Sequence, residues 1–211
     1  DTASQTAAAV LAPKNGDRVL DMCAAPGGKS FTLAEIMENK GEITACDLYE
    51  QRVGLIKNGT ERLGLDIIKP VCADASVFNP EFGQFDCILC DVPCSGFGVI
   101  SRKPEIKYKP LAEFERLPGI QYSIAENVLS YLAPGGEMVY STCTLRKAEN
   151  DDAACAFLAA HPDFEPYPIP DLPGCELFRG GGGSATFLPG PTDGFFAARF
   201  RRKSAEGGER A

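Results

Sequence analysis

Histidine is nearly absent from this chain: His161 is the only one among 211 residues. It stands directly before Pro162, at an expected helix end. A serine–histidine–aspartate triad or a cysteine–histidine hydrolase therefore has no well-placed base. A metal site lacks ligands as well. Cys87, Cys90 and Cys94 are spaced C-x2-C-x3-C, but strand residues an odd number apart point to opposite faces, and no histidine lies nearby. No metal is expected. Excess positive charge is missing too. Lysine and arginine number 21 against 29 acids, giving a net charge of −8 and a pI of about 4.8. That argues against a strongly basic nucleic-acid binder. No run is long and apolar enough to span a bilayer, and no secretory leader opens the sequence. The nine cysteines are an odd number without paired spacing, unlike a disulfide scaffold. A reducing, cytoplasmic setting with no membrane partner is expected.

Two nucleotide motifs are also missing. There is no G-x-G-x-x-G for a dinucleotide and no complete G-x-x-x-x-G-K-[ST] phosphate loop, although Gly28-Lys29-Ser30 resembles its tail. A dehydrogenase is therefore a distant reading. What stands in that position is Val19–Lys29, VLDMCAAPGGK. An apolar run ends in Asp21, a loop of small residues follows (Cys23, Ala24, Ala25, Pro26, Gly27, Gly28), and Lys29 starts an amphipathic run. This is a strand, a tight turn and a helix start, the place where α/β sheets bind ligands. Asp47, about 20 residues past the glycines, is spaced to accept hydrogen bonds from ribose hydroxyls. A nucleoside-containing cofactor without phosphates, such as S-adenosylmethionine, suits this loop. So does an ordinary strand-to-helix turn.

Along the chain the pattern predicts a helix over 1–11 and strands over 18–22, 42–46, 67–72, 85–90 and 137–141. Helices are expected over 29–39, 50–63 and 147–160. Residues 111–132 read as a helix broken or kinked at Pro118-Gly119, and Pro134-Gly135-Gly136 as a turn. Residues 164–168 suggest a strand, 180–184 a flexible loop or linker, and 195–200 a last, antiparallel strand. Alternating strands and helices indicate one doubly wound, mainly parallel α/β domain over residues 1–203, with residues 204–211 a disordered tail.

Such a sheet delivers the ends of its strands to one edge. Cys23 to Lys29, Asp47, Asp74, Asp91 to Cys94, and Cys143 should converge there. Cys46, Cys72, Cys87 and Cys90 lie in strands and read as small buried residues. Cys94 and Cys143 each follow a strand among small polar neighbours, where a thiol can reach a ligand. Two basic stretches, Arg102, Lys103, Lys107 and Lys109 around Tyr108, and Arg199 to Lys203, could meet phosphates or form solvated faces.

Together the stretches LDMCAAPGGKS at Leu20, ACDLYEQRV at Ala45, CADAS at Cys72 and FDCILCDVPCSGFG at Phe85 resemble the Sun-type (RsmB-like, NOP-type) RNA cytosine-5 methyltransferases. The resemblance continues through DTASQ at Asp1, RKPEIKY at Arg102, LAPGGEMVYSTCTLRKAEN at Leu132 and DGFFAARF at Asp193. It implies a class I, Rossmann-like methyltransferase fold with a seven-stranded sheet. It implies contacts to S-adenosylmethionine from Cys23 to Lys29, Asp47, Arg52, Asp74 and Asp91. Cys143 is implied as the nucleophile and Cys94 as the second catalytic cysteine. Asp91, if protonated, could donate to the ring nitrogen of the base. Lys29 or backbone amides could sustain the Cys143 thiolate. The target implied is RNA, ribosomal rather than transfer, with Arg102 to Lys109 holding the flanking strand. Bacterial members carry an RNA-binding, NusB-like region before this domain, so such a region is expected to be missing here. Two rivals stand beside this reading. A DNA-type cytosine-5 methyltransferase would use Cys94 as nucleophile, and a non-catalytic ribosome-assembly factor would only bind RNA.

Overall fold

The computed structural model describes residues 2–172, 178–180, 183–189 and 193–204. Its centre is built from short apolar runs with helices between them. In chain order these are α1 (Thr2–Leu11), β1 (Arg18–Asp21), α2 (Gly28–Ile36), β2 (Glu42–Asp47), α3 (Glu50–Leu63), β3 (Ile68–Cys72) and β4 (Phe85–Asp91). Then follow α4 (Leu111–Glu115), α5 (Leu117–Leu129), β5 (Leu132–Thr142), α6 (Asp151–Ala160), β6 (Phe164–Pro166), β7 (Phe178–Arg179), β8 (Ser184–Phe187) and β9 (Phe195–Arg202).

One sheet results, in the order β3-β2-β1-β4-β5-β9-β8-β7, with β6 pairing to β9. Strands β1 to β5 are parallel, and β9 runs antiparallel to β5. The chain winds outward from β1 to β3, then returns to place β4 on the other side of β1. The gap between β1 and β4 is the topological switch point, where open α/β sheets bind ligands. Among the described residues nine strands stand where the resemblance implied seven: the strand expected over 164–168 is β6, and the short strands β7 and β8 are the additions.

Both faces of the sheet are covered, so successive strand residues are buried on alternate sides. Val19, Leu89, Val139 and Ala197 pack with Leu11, Leu33 and Ile56 on one face. Their neighbours Leu20, Ile88, Met138 and Phe196 pack with Val128 and Phe157 on the other. Cys87 and Cys90 fall on opposite faces, as their spacing requires.

Four segments differ from their sequence reading. The helix over 111–132 is two helices that meet at Arg116. Pro118 does not break α5 but sits in its first turn, where its missing N–H would have had no partner. The helix over 147–160 is a 3-10 turn (Lys147–Glu149) and α6, separated at Asn150. Pro134-Gly135-Gly136 lies inside β5, at a register shift against β4 between Phe85 and Cys87. The loop at 180–184 is the tip of the β7–β8 hairpin: Gly180 N–H bonds the Ser184 carbonyl at 2.9 Å, and the Arg199 N–H bonds the Gly183 carbonyl at 2.9 Å. Gly181, Gly182 and the tail beyond Ser204 lie outside the described residues.

Candidate active site

The site starts at the loop after β1. Gly27 caps α2 with φ 109°, a left-handed conformation that glycine adopts without strain. A Cβ there would lie 2.5 Å from the Phe31 ring. Gly28 begins the helix, and a Cβ on it would meet nothing within 4 Å. The loop is therefore open on the Cβ side of Gly28. The loop is held from the side: Ala24 N–H bonds the Cys46 carbonyl of β2 at 2.7 Å, and Arg52 donates to the Ala25 carbonyl at 2.8 Å. Arg52 also pairs with Asp47 at 3.2 Å. Its visible work is to tie the loop to the acid that ends β2. Asp47 is buried and also accepts the Tyr49 N–H at 3.2 Å. Asp74 is exposed, and its carboxylate accepts both the amide and the hydroxyl of Ser76, which hold it below its ordinary pKa.

Asp21 lies beneath the loop. It is fully buried and accepts the Ser30 hydroxyl at 2.6 Å on one oxygen, while Oδ1 has no hydrogen-bond partner. Burial pushes this carboxyl up from 3.8 to about 7, against the pull of Ser30 and Lys29. An orphaned buried acceptor flanked by the carboxylates of Asp47 and Asp91 suits a ligand that brings positive charge and N–H donors. S-adenosylmethionine, with a sulfonium and an ammonium, fits that description. Cys23 to Lys29 with Asp21, Asp47 and Asp74 are the residues that would hold it.

Across the switch point, β4 ends at Asp91. Its carboxylate accepts the Ser141 hydroxyl at 2.7 Å and pairs with Lys29 at 2.7 Å. Burial lowers the Lys29 pKa, but Asp91, by charge and hydrogen bond, and then Asp21 and Cys143 outweigh it and raise Lys29 above its ordinary value. Lys29 is thus a held ammonium between the cofactor loop and the thiols.

The two cysteines meet. Cys94 Sγ lies 3.1 Å from Cys143 Sγ, and the Cys143 N–H donates to Cys94 Sγ at 3.2 Å. Their titrations separate. The hydrogen bond from Cys94 lowers Cys143, against burial and Asp91, with Lys29 and Lys103 assisting. The same hydrogen bond, then burial, raises Cys94. Cys143 is thus the more acidic sulfur of the pair and the first to ionise, with Cys94 placed to donate to it. Neither thiolate source expected from the sequence leads: the backbone amide serves Cys94, and Lys29 ranks behind the Cys94 thiol.

The basic stretches divide. Lys103, Lys107, Tyr108 and Lys109 are exposed on the loop between β4 and α4, whose Pro104–Tyr108 is a 3-10 helix. Arg102 is tied by an ion pair to Asp193, just before β9. The Arg199–Lys203 cluster is not a free basic face. Arg199 is buried against Glu137, Arg202 donates to the Leu132 carbonyl, and Lys203 donates to the Pro162 carbonyl. A polar cavity of about 360 Å³ beside Arg199, Arg201, Glu137 and Asp17 opens at the opposite end of the parallel strands. His161 caps α6 and bonds Glu126 at 2.5 Å, as a structural residue.

A ring of buried polar residues behind the cysteines received no role from the sequence. Glu149, Asn150 and Gln121 are all buried, and all bond to the cysteine loops. The only hint was the Glu-Asn that closes the stretch after Cys143.

Residues 8–201 match the family model described as 16S rRNA methyltransferase RsmB/F. The chain belongs to this family. A Bacillus subtilis protein, "Probable ribosomal RNA small subunit methyltransferase B", is 46% identical over 96% of this chain and 47% of its own length. The crystal structure of PH0851 is 34% identical with a TM-score of 0.88, over 95% of this chain and 46% of that one. NSun6 from Pyrococcus horikoshii, solved with SFG, an S-adenosylmethionine analogue, is 32% identical with a TM-score of 0.81, over 95% of this chain and 51% of that one. The homologues are S-adenosylmethionine-dependent methyltransferases, and their class I fold is the one described above. The chain spans about half the length of the curated relatives it matches.

Proposed function

We propose that residues 1–203 are the catalytic domain of an RNA methyltransferase that methylates carbon 5 of a cytosine, in 16S ribosomal RNA, through a covalent adduct on Cys143. The observation that carries this reading is the pair of sulfurs 3.1 Å apart with opposite pKa shifts. Carbon 5 of cytosine is a poor nucleophile. Cys143 adds as thiolate to carbon 6, and the ring becomes an enamine that is nucleophilic at carbon 5. S-adenosylmethionine, when bound, supplies an electrophilic methyl group. Asp91 lies beside Cys143 and meets the ring at nitrogen 3 and its neighbouring amino group. Both its oxygens accept hydrogens, from Lys29 and Ser141, so donating to nitrogen 3 requires Asp91 to carry a proton at that moment.

The thiol pair also orders the steps. Cys94 keeps its proton chiefly because it donates to the Cys143 thiolate. Once Cys143 spends its charge in a carbon–sulfur bond, the largest cause holding the proton on Cys94 is removed, and that proton passes to solvent water, leaving Cys94 a thiolate. Cys94 then removes the carbon 5 proton, and Cys143 is expelled from carbon 6. The target base must leave its stack to reach this pocket. Tyr108 and the lysines at 103, 107 and 109 hold the flanking strand. This reading puts the protein with ribosomal RNA in the cytoplasm.

The test is a pair of variants. Cys143→Ala abolishes methylation, and Cys94→Ala accumulates a denaturant-resistant protein–RNA complex. Normal turnover by Cys94→Ala with no such complex refutes the division of roles. A 5-fluorocytosine adduct on Cys94 would instead make Cys94 the nucleophile, as in the DNA enzymes. Failure to bind S-adenosylmethionine by calorimetry would favour a non-catalytic assembly factor.

A further inference from the structure

The two reactive loops belong to different strands, yet their sulfurs are held in contact. Behind Cys94, Glu149 Oε2 accepts the Ser95 N–H at 2.9 Å and the Gln121 amide at 2.8 Å. Gln121 also donates to the Pro93 carbonyl at 3.0 Å. The residues on both sides of Cys94 are thus fixed through one carboxylate. Behind Cys143, the Thr142 hydroxyl donates to Asn150 Oδ1 at 2.6 Å, and Asn150 Nδ2 donates to the Thr144 carbonyl at 2.9 Å. The residues on both sides of Cys143 are fixed through one carboxamide. Arg146 completes the arrangement, bonding Glu149 Oε1 at 3.1 Å and the Phe114 carbonyl of α4 at 3.0 Å. Glu149 has no side-chain exposure, and Gln121 and Asn150 are buried.

We propose that the adjacent residues Glu149 and Asn150 form a clamp that sets the Cys94–Cys143 sulfur contact, and that Glu149 is a positioning residue for the thiol pair. This rests on the functional reading above, since it assigns a role within that site. The physical reason is geometric. The kink at Asn150, between the 3-10 turn and α6, aims two neighbouring side chains at two different loops. A carboxylate accepts from the Ser95 amide, Gln121 and Arg146 without itself donating. An isosteric amide brings two hydrogens of its own and cannot satisfy the same set of donors. Buried networks of this kind fix one geometry when every member is paired.

The experiment uses Glu149→Gln in the full chain and reads the pH dependence of iodoacetamide labelling at the Cys143 peptide by mass spectrometry. A merely structural residue would change stability but not the titration of a distant thiol. The expected result is a labelling midpoint at least about one pH unit higher, with labelling near pH 7 slowed about tenfold as the Cys94 donor drifts away. S-adenosylmethionine affinity should stay within about twofold, since the clamp touches no residue of the cofactor loop. If Glu149→Gln does not fold, Asn150→Asp makes the same measurement on the other half of the clamp, because a carboxylate cannot donate to the Thr144 carbonyl. An unchanged Cys143 midpoint in the folded variant overturns the clamp. Labelling needs neither RNA nor turnover, so loss of the proposed activity in the parent protein would be seen separately and would not decide this question.

Discussion

Replacing Asp21 by asparagine should stabilise the free protein at alkaline pH while weakening its hold on the cofactor. The carboxyl is fully buried, and its pKa rises from 3.8 to about 7. Between those values the folded chain keeps a proton that the unfolded chain has released. The folded state then binds more protons, so stability falls as pH rises from about 4 to about 7, and the loss is complete above that. At about 1.36 kcal/mol for each pH unit across that interval, the cost comes to ~4 kcal/mol near pH 8.5 and ~1.5 kcal/mol at pH 5. Asparagine carries no such cost and can still accept the Ser30 hydroxyl. Urea unfolding at the two pH values should show the variant gaining on the parent by about 2–3 kcal/mol between them, or roughly 5–10 °C in thermal midpoint for a chain of this size. Other titrating groups act in both proteins and cancel in the comparison. Calorimetry should show weaker S-adenosylmethionine binding, because the acceptor suited to a cationic ligand has lost its charge. A stability difference that does not change with pH would refute the reasoning. So would a variant that binds the cofactor as tightly as the parent.

Two further outcomes follow from the contact between the reactive loops. Cys94→Ala should raise the pH midpoint for iodoacetamide labelling of Cys143, because the Cys94 thiol is the largest support of that thiolate; an unmoved midpoint would return the role to Lys29. Gly98→Ala should cost about 2–4 kcal/mol in urea unfolding and lower methylation at least tenfold, since the added Cβ would lie 2.1 Å from the Gly194 carbonyl oxygen and 2.9 Å from that of Cys143. Both obstacles are backbone, and shifting the second one moves Cys143, the proposed nucleophile.

The parts of this site that could be read from the sequence are those the fold delivers by rule. A parallel sheet sends Asp47, Asp74, Asp91 and Cys143 to one edge whatever the details of packing, whereas the buried Asp21 beneath the loop was not singled out. The small-residue loop before Lys29 marks where a ligand can approach. Segment type was legible for the same reason, since apolar periodicity survives without its context. Boundaries went wrong where a residue's meaning depends on its exact place. Pro118 breaks a helix in its interior but is welcome in the first turn of α5, and no local pattern distinguishes the two. From the sequence the Arg199–Lys203 cluster could meet phosphates or form a solvated face, because charge is visible and burial is not. Its position on an inner antiparallel strand, opposite Glu137 and beside the Leu132 carbonyl, makes it part of the framework.

The thiolate source was hidden for a deeper reason. From the sequence, Cys143 lacked a histidine and so called for Lys29 or backbone amides. The structure places a second thiol, 49 positions away, against Cys143, and that contact becomes visible only when the distance between two loops is known. The residues that fix this distance are equally non-local: Ser95 and Glu149 are 54 apart in sequence, Gln121 and Glu149 are 28 apart. A buried carboxylate with three donors has no periodicity and no flanking signal. What such a residue does is set by its partners, so a chain with intact cysteines can still fail as a catalyst if the polar shell behind them is altered. In this chain the two layers are the Cys94–Cys143 sulfur pair, 3.1 Å apart, and the Glu149-Asn150 pair proposed to hold it.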